Sequence, residues 1–187
     1  MSVKDVVRSS DELARAEIKK YGLPAPIHYN ISYGKAIWLA QELLLKSLEI
    51  RKNIGDTIGL ASSYYELGKC YFLTSEYINA KRYLDLSLKK RKNIEDPRRL
   101  SNVLSLHGKL LLSSNINKIQ GIKEIEDAQI IQKKLGLKIQ RLNSLYQIQN
   151  YYKKHNSAKY YGAIDKIKRV LRSLSTEQNK YLSKHSS

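Results

Sequence analysis

Apolar residues recur at three- and four-residue steps along most of this chain, and short polar turns interrupt the rhythm. That period is helical, and no stretch shows the sustained alternation that a half-buried strand needs. Residues 10–21 read as a short first helix, capped by Ser10 or Asp11 and edged by Leu13, Ala14 and Ile18. Gly22-Leu23-Pro24-Ala25-Pro26 breaks it, because each proline disfavours helix in the residue before it. A long helix is predicted over 31–53, where Ala36, Ile37, Ala40, Leu43, Leu44 and Leu48 form one stripe, on which Trp38 also lies as a core residue. Further helices are predicted over 57–73, 76–93, 97–112, 117–135, 138–154 and 158–174. Asp96-Pro97 is a strong start signal, with Asp as the cap and Pro where its missing N–H costs nothing. Gly136 suits a helix stop.

The helices pair at a fixed period. Arg51-Lys52-Asn53-Ile54-Gly55-Asp56 is nearly repeated forty residues later as Arg91-Lys92-Asn93-Ile94-Glu95-Asp96. Gln132-Lys133-Lys134-Leu135-Gly136-Leu137 is a weaker echo. Self-similarity at this spacing marks an array of stacked helix pairs. The hexapeptides fall at helix C-termini, where Arg and Lys suit the dipole and Ile54 and Ile94 are expected to plug the seam between units. Three segments follow: an N-terminal helix and Pro/Gly loop (1–30), a repeat domain (31–174), and a polar tail (175–187) expected to fray.

The best unit contains Leu67-Gly68, Tyr71, Ala80, Leu84 and Ser87. Small Gly68 and Ala80 let two helices approach, and Tyr71 and Leu84 fill the space beside them. With Leu48-Glu49-Ile50, Gly55-Asp56 and Tyr64, this spacing resembles the tetratricopeptide repeat, in the longer form found in kinesin-light-chain-like arrays. A second unit, with Leu104, Gly108, Leu111, Gly121, Ile125 and Ala128, matches if the turn holds one extra residue. A last unit has Gln149 where glycine is expected. The resemblance implies an all-α fold of antiparallel helix-pair repeats forming a short right-handed superhelix. It also implies a scaffold for protein–protein interaction, without catalysis, whose first helices line a concave groove. The residues it puts there are Tyr65, Lys69 and Phe72, then Ser105, Lys109 and Leu112, then Tyr146, Asn150 and Lys153. Such a groove suits an acidic peptide or helix. The carboxylate clamp of chaperone-binding members is not expected, because Leu106 and Gln147 stand at positions it needs.

Charge adds a competing reading. Thirty-four Lys and Arg face seventeen Asp and Glu, a net of +17. In residues 128–187 the only acidic residues are Asp165 and Glu177, so the excess concentrates toward the C-terminus. A field of this sign attracts acidic partners, nucleic acid included. Lys89, Lys90, Arg91, Lys92, Arg98 and Arg99 gather at one inter-unit turn, and Lys166, Lys168, Arg169 and Arg172 lie on the last predicted helix. These are the candidate phosphate contacts, and Tyr151-Tyr152 and Tyr160-Tyr161 beside lysines are candidate base-stacking groups. A regulatory role, binding a sensor or transcription factor in the groove, is a third reading.

Chemistry is not signalled. His28, His107, His155 and His185 are scattered, and none pairs with a carboxylate at helical spacing. His107 reads as a satisfied core histidine, and Glu124, Glu126 and Asp127 as a solvated face. No phosphate loop or metal-ligand spacing occurs, so no cofactor is expected. The single cysteine, Cys70, reads as a small buried filler and excludes an internal disulfide. No apolar run spans a membrane and the N-terminus lacks a signal-like stretch, so a cytoplasmic location is the expectation. So short an array leaves terminal faces that a second copy could cover, making a homodimer plausible.

Overall fold

The computed structural model of the chain describes residues 33–185. The helix expected at 10–21, like the whole 1–30 segment, lies outside the described residues. Within them the fold is all-α: seven helices and no strand. They are α1 (Tyr33–Asn53), α2 (Thr57–Leu73), α3 (Tyr77–Arg91), α4 (Pro97–Ser113), α5 (Lys118–Lys134), α6 (Lys138–His155) and α7 (Ser157–His185). Four of the starts are capped as side-chain chemistry dictates. Asp56 accepts from the Gly59 N–H at 2.8 Å and Asp96 from Arg99 at 3.0 Å. Asn117 accepts from Gln120 at 3.0 Å and Asn156 from Lys159 at 2.9 Å.

The last helix corrects one expectation. It does not end near Leu174 but runs to His185. Ser175 to His185 holds no glycine or proline and several good helix formers, so nothing local stops the helix where its apolar rhythm fades.

Consecutive helices pack as antiparallel hairpins. In the α2/α3 pair the contacts step inward from the turn: Phe72 meets Tyr77, Gly68 faces Leu84, and Ser87 donates to the Ala61 carbonyl at 2.8 Å. The α4/α5 pair is closer still. A Cβ on Gly108 would stand 2.5 Å from the Gly121 carbonyl oxygen, and one on Gly121 would stand 2.8 Å from that of Gly108. Glycine is therefore required at both positions by backbone approach. The even-numbered helices also touch one another, α2 with α4 and α4 with α6, whereas α3, α5 and α7 do not.

The hexapeptide echo is a joint between pairs, but not through its isoleucines. Ile54 is 70% exposed and Ile94 half-buried. The seam residue is the first of the six. Arg51 reaches forward to donate to the Gly59 carbonyl at 2.9 Å and to Ser63 Oγ, twelve residues downstream. Gln132, the third echo, takes the same role: it accepts from Ser144 Oγ, again twelve residues on, at 3.0 Å. Arg91 has Val103 at that offset. It is 3% exposed, makes only a 3.4 Å contact to Ser62 Oγ, and leaves Nε and Nη1 without partners. Burial lowers its pKa, as a desolvated cation requires.

Trp38 also departs from expectation. It is 56% exposed, so α1 turns a narrower stripe inward, through Ile37, Leu44 and Leu48.

Two outcomes are expected in urea unfolding. Gly108→Ala destabilises more than Gly68→Ala, because the first clash is with backbone and the second with the Leu84 side chain; overpacking of this kind costs about 1–3 kcal/mol. Arg91→Met leaves stability unchanged or raises it by about 1–2 kcal/mol, since an underpartnered buried charge is removed, whereas Arg51→Met lowers it.

Candidate functional site

The nine residues expected in a groove lie on α2, α4 and α6, the helices that touch one another. Two links cross between those helices. Lys109 Nζ on α4 sits 5.3 Å above the centre of the Phe72 ring on α2, a cation–π contact. Ser105 on α4 lies 3.2 Å from Ser144 on α6 through their hydroxyls. Lys69 pairs with Glu66 one turn earlier at 3.4 Å. Phe72, Leu112 and Tyr65 are half-buried and pack against the apolar clusters beneath them. Tyr146, Asn150 and Lys153 are exposed on α6. The α2 and α4 members thus meet through Lys109 and Phe72, while those on α6 extend the surface without such a link.

Tyr65 is less available than its position suggests. Burial, with Glu66 nearby, pushes its phenol up to about 12. It therefore stays protonated and serves as a hydrogen-bond donor or acceptor, never as an anion, across the neutral range.

The basic group at the α3–α4 turn divides. Lys89, Lys92, Arg98 and Arg99 are exposed and Lys90 half-buried, with Arg99 paired to Asp96 at 3.4 Å. Arg91 is buried in the seam, so it cannot meet a phosphate from solvent as expected. Its place in the hexapeptide is the buried seam position that Arg51 and Gln132 also hold, although Arg91 lacks their serine partner. Lys166, Lys168, Arg169 and Arg172 are exposed on α7, which among the described helices packs only on α6. Tyr152 is a core residue, its hydroxyl 3.3 Å from Lys159 Nζ, and is no stacking platform. Tyr161 stays exposed.

His107 is a core histidine as expected, but the carboxylates around it were not legible. His107 is 4% exposed, and its Nδ1 lies 2.6 Å from Glu124 Oε2 on the partner helix. Gln120 donates to the other Glu124 oxygen at 2.8 Å. Nε2 lies 3.1 Å from Asp85 Oδ1 on α3, without the alignment of a hydrogen bond. Glu124 is therefore a core residue, not part of a solvated face; of the three, only Asp127 is fully exposed and Glu126 is half-buried. The two carboxylates flank opposite ring nitrogens, so they share no point where an ion could sit. Among the described residues no group of His, Cys, Asp and Glu could hold a metal. The carboxylates are seventeen residues ahead and twenty-two behind His107, on other helices, which is why helical spacing missed them.

Cys70 is buried, and burial pushes its thiol up to about 11, with Glu66 adding to the effect. No helix among the described residues is long and apolar enough to cross a membrane. The chain matches no protein-family model and no curated protein.

Removing the His107 ring tests the buried centre. His107→Ala strands the Glu124 carboxylate and should cost about 3–5 kcal/mol in denaturant unfolding, while His107→Gln retains a donor and costs less. Equal losses would show that the ring's packing, not its bond, matters. A thiol reagent applied below pH 9.0 should modify Cys70 only after urea unfolds the chain. The raised thiol makes folding favour the protonated form, so stability is full below the unfolded value of 9.0 and declines as pH climbs through about 11.

Proposed function

We propose that this chain is a non-enzymatic helical-repeat scaffold of the tetratricopeptide type, which captures an acidic peptide or helix on the face formed by α2, α4 and α6. One observation carries the reading: Lys109 held over Phe72, joining two first helices into a surface that pairs a cation with an aromatic. An acidic side chain meeting that amine would sit beside an apolar ring, which gives charge and shape together. The forty-residue echo, the glycine-mediated hairpins and the contact among even-numbered helices support a stack that bends toward this face.

Binding of nucleic acid by exposed Lys and Arg is the rival reading, and one experiment separates the two. The chain, carrying a tag, is used to capture partners from its native lysate with and without nuclease. Lys69→Glu with Lys109→Glu should abolish capture of a nuclease-resistant protein partner, and an excess of acidic peptide should compete. Capture that survives the double exchange but falls with nuclease, and that drops steeply with salt, would replace the groove with a phosphate-binding surface.

A further inference from the structure

A cavity of about 430 Å³ opens between α5 and α7. These two helices do not contact each other, so the furrow between them is floored by α6. Leu145 and Ile148 form the floor and Ala163 one wall, all buried apolar residues. A volume of this size matches a small-molecule site, well above that of a packing fault.

Three features make it more than a gap. Gly162 lies on its α7 wall within the helix, where glycine is unfavourable by roughly 1 kcal/mol. A Cβ there would meet nothing within 4 Å, so close helix packing does not require the glycine; its absent side chain leaves the furrow open. Gln129 lines the opposite wall and is 8% exposed, so its amide is a polar group beside an otherwise apolar floor. Two amines stand at the mouth on one face of α7. Lys159 is held there by the Tyr152 hydroxyl at 3.3 Å and by the ring, 5.1 Å from its centre. Lys166 lies two turns further on. Glu126 is the one carboxylate at the rim, 3.5 Å from that same hydroxyl.

We propose that this furrow binds a small amphipathic acid, its apolar body on Leu145, Ile148 and Ala163 and its carboxylate between Lys159 and Lys166, within reach of the Gln129 amide. The same chemistry is offered by a free acid and by a leucine beside an acidic residue in a peptide. This site does not depend on the groove reading, because it uses α5 and α7 on the other side of the stack.

The test is a titration of the full, isotopically labelled chain followed by amide chemical shifts, with octanoate as the probe. Saturable shifts should centre on Leu145, Ile148, Gly162 and Ala163, and octylammonium, with its charge reversed, should produce none. Gly162→Leu adds a side chain whose Cβ meets nothing within 4 Å and should weaken octanoate by about tenfold or more. Should that variant fail to fold, Lys159→Gln with Lys166→Gln must weaken it instead. A blocked leucyl-glutamate peptide is the second arm. Saturation by octanoate alone assigns a free acid, and saturation by the peptide alone assigns a partner's side chains. Failure of both, equal shifts with octylammonium, or undiminished affinity in the folded variants overturns the proposal.

Discussion

Two helices approach no closer than the side chains between them allow. In this chain that limit is set at Gly108 and Gly121, where each backbone carbonyl occupies the place of the other residue's missing Cβ. Everything near the middle of the stack inherits its register from that contact. It brings Glu124 to His107 and seats Ile125 against the hairpin. Gly68 against Leu84 is the weaker version of the same contact, with a side chain in place of a backbone. The hairpins are thus fixed by absence of atoms as much as by burial, which explains why substitution there differs from ordinary core trimming.

Joining hairpins to one another needs a different device. Arg51 and Gln132 each tie the end of one helix to a serine twelve residues ahead, inside the next pair. Gly55 and Gly136 follow them with left-handed backbone, at φ +70° and +67°, which turns the chain tightly into the next helix. The middle joint has neither the serine nor the glycine, since Val103 and Glu95 stand there. Its Arg91 is buried all the same. Polar joints and an apolar joint have been mixed, and the mixed one is where α3 and α4 touch least. Chains of stacked pairs tolerate this because each unit depends mainly on its neighbours.

The helices were legible because their signals are local. Asp96-Pro97, the caps and the three-to-four-residue rhythm each act within one turn, and the chain follows them over 57–155. The repeat was legible because a joint must recur wherever a pair recurs. What the joint does was not. Ile54 looked like the plug because it is apolar, yet a helix end projects it to solvent while the arginine stem folds inward. Trp38 failed for a similar reason: one stripe on α1 is broader in sequence than the neighbour available to cover it. The His107–Glu124–Asp85 centre lies across three helices, and no spacing rule reaches across two turns. The Lys109–Phe72 contact was half legible: both residues were assigned to one face by the repeat, but their direct contact depends on how closely α2 and α4 stack.

Contact among first helices without contact among second helices has opposite consequences on the two sides of the stack. On the side of α2, α4 and α6, side chains of neighbouring pairs meet, and a continuous face results. On the side of α3, α5 and α7 the helices splay, and each gap exposes whatever the intervening helix holds below. One gap is bordered by Ile78, Leu86 and Ile116 with Lys81, Arg82 and Lys89, and its one carboxylate, Asp85, pairs with Lys81 and faces His107. Over α6 the base is Leu145, Ile148 and the Tyr152 ring, and Gln129 is the buried polar residue beside it. The same architecture therefore makes one furrow rimmed by Lys81, Arg82, Lys89 and a single carboxylate, Asp85, and one that is apolar below and cationic above. That difference comes from a few residues: Asp85 and Ile116 border the first gap, whereas Ile148 and Tyr152 line the second. The chemistry of each gap is in this way set by the few side chains that border it, independently of whether the adjoining joint carries the serine and glycine.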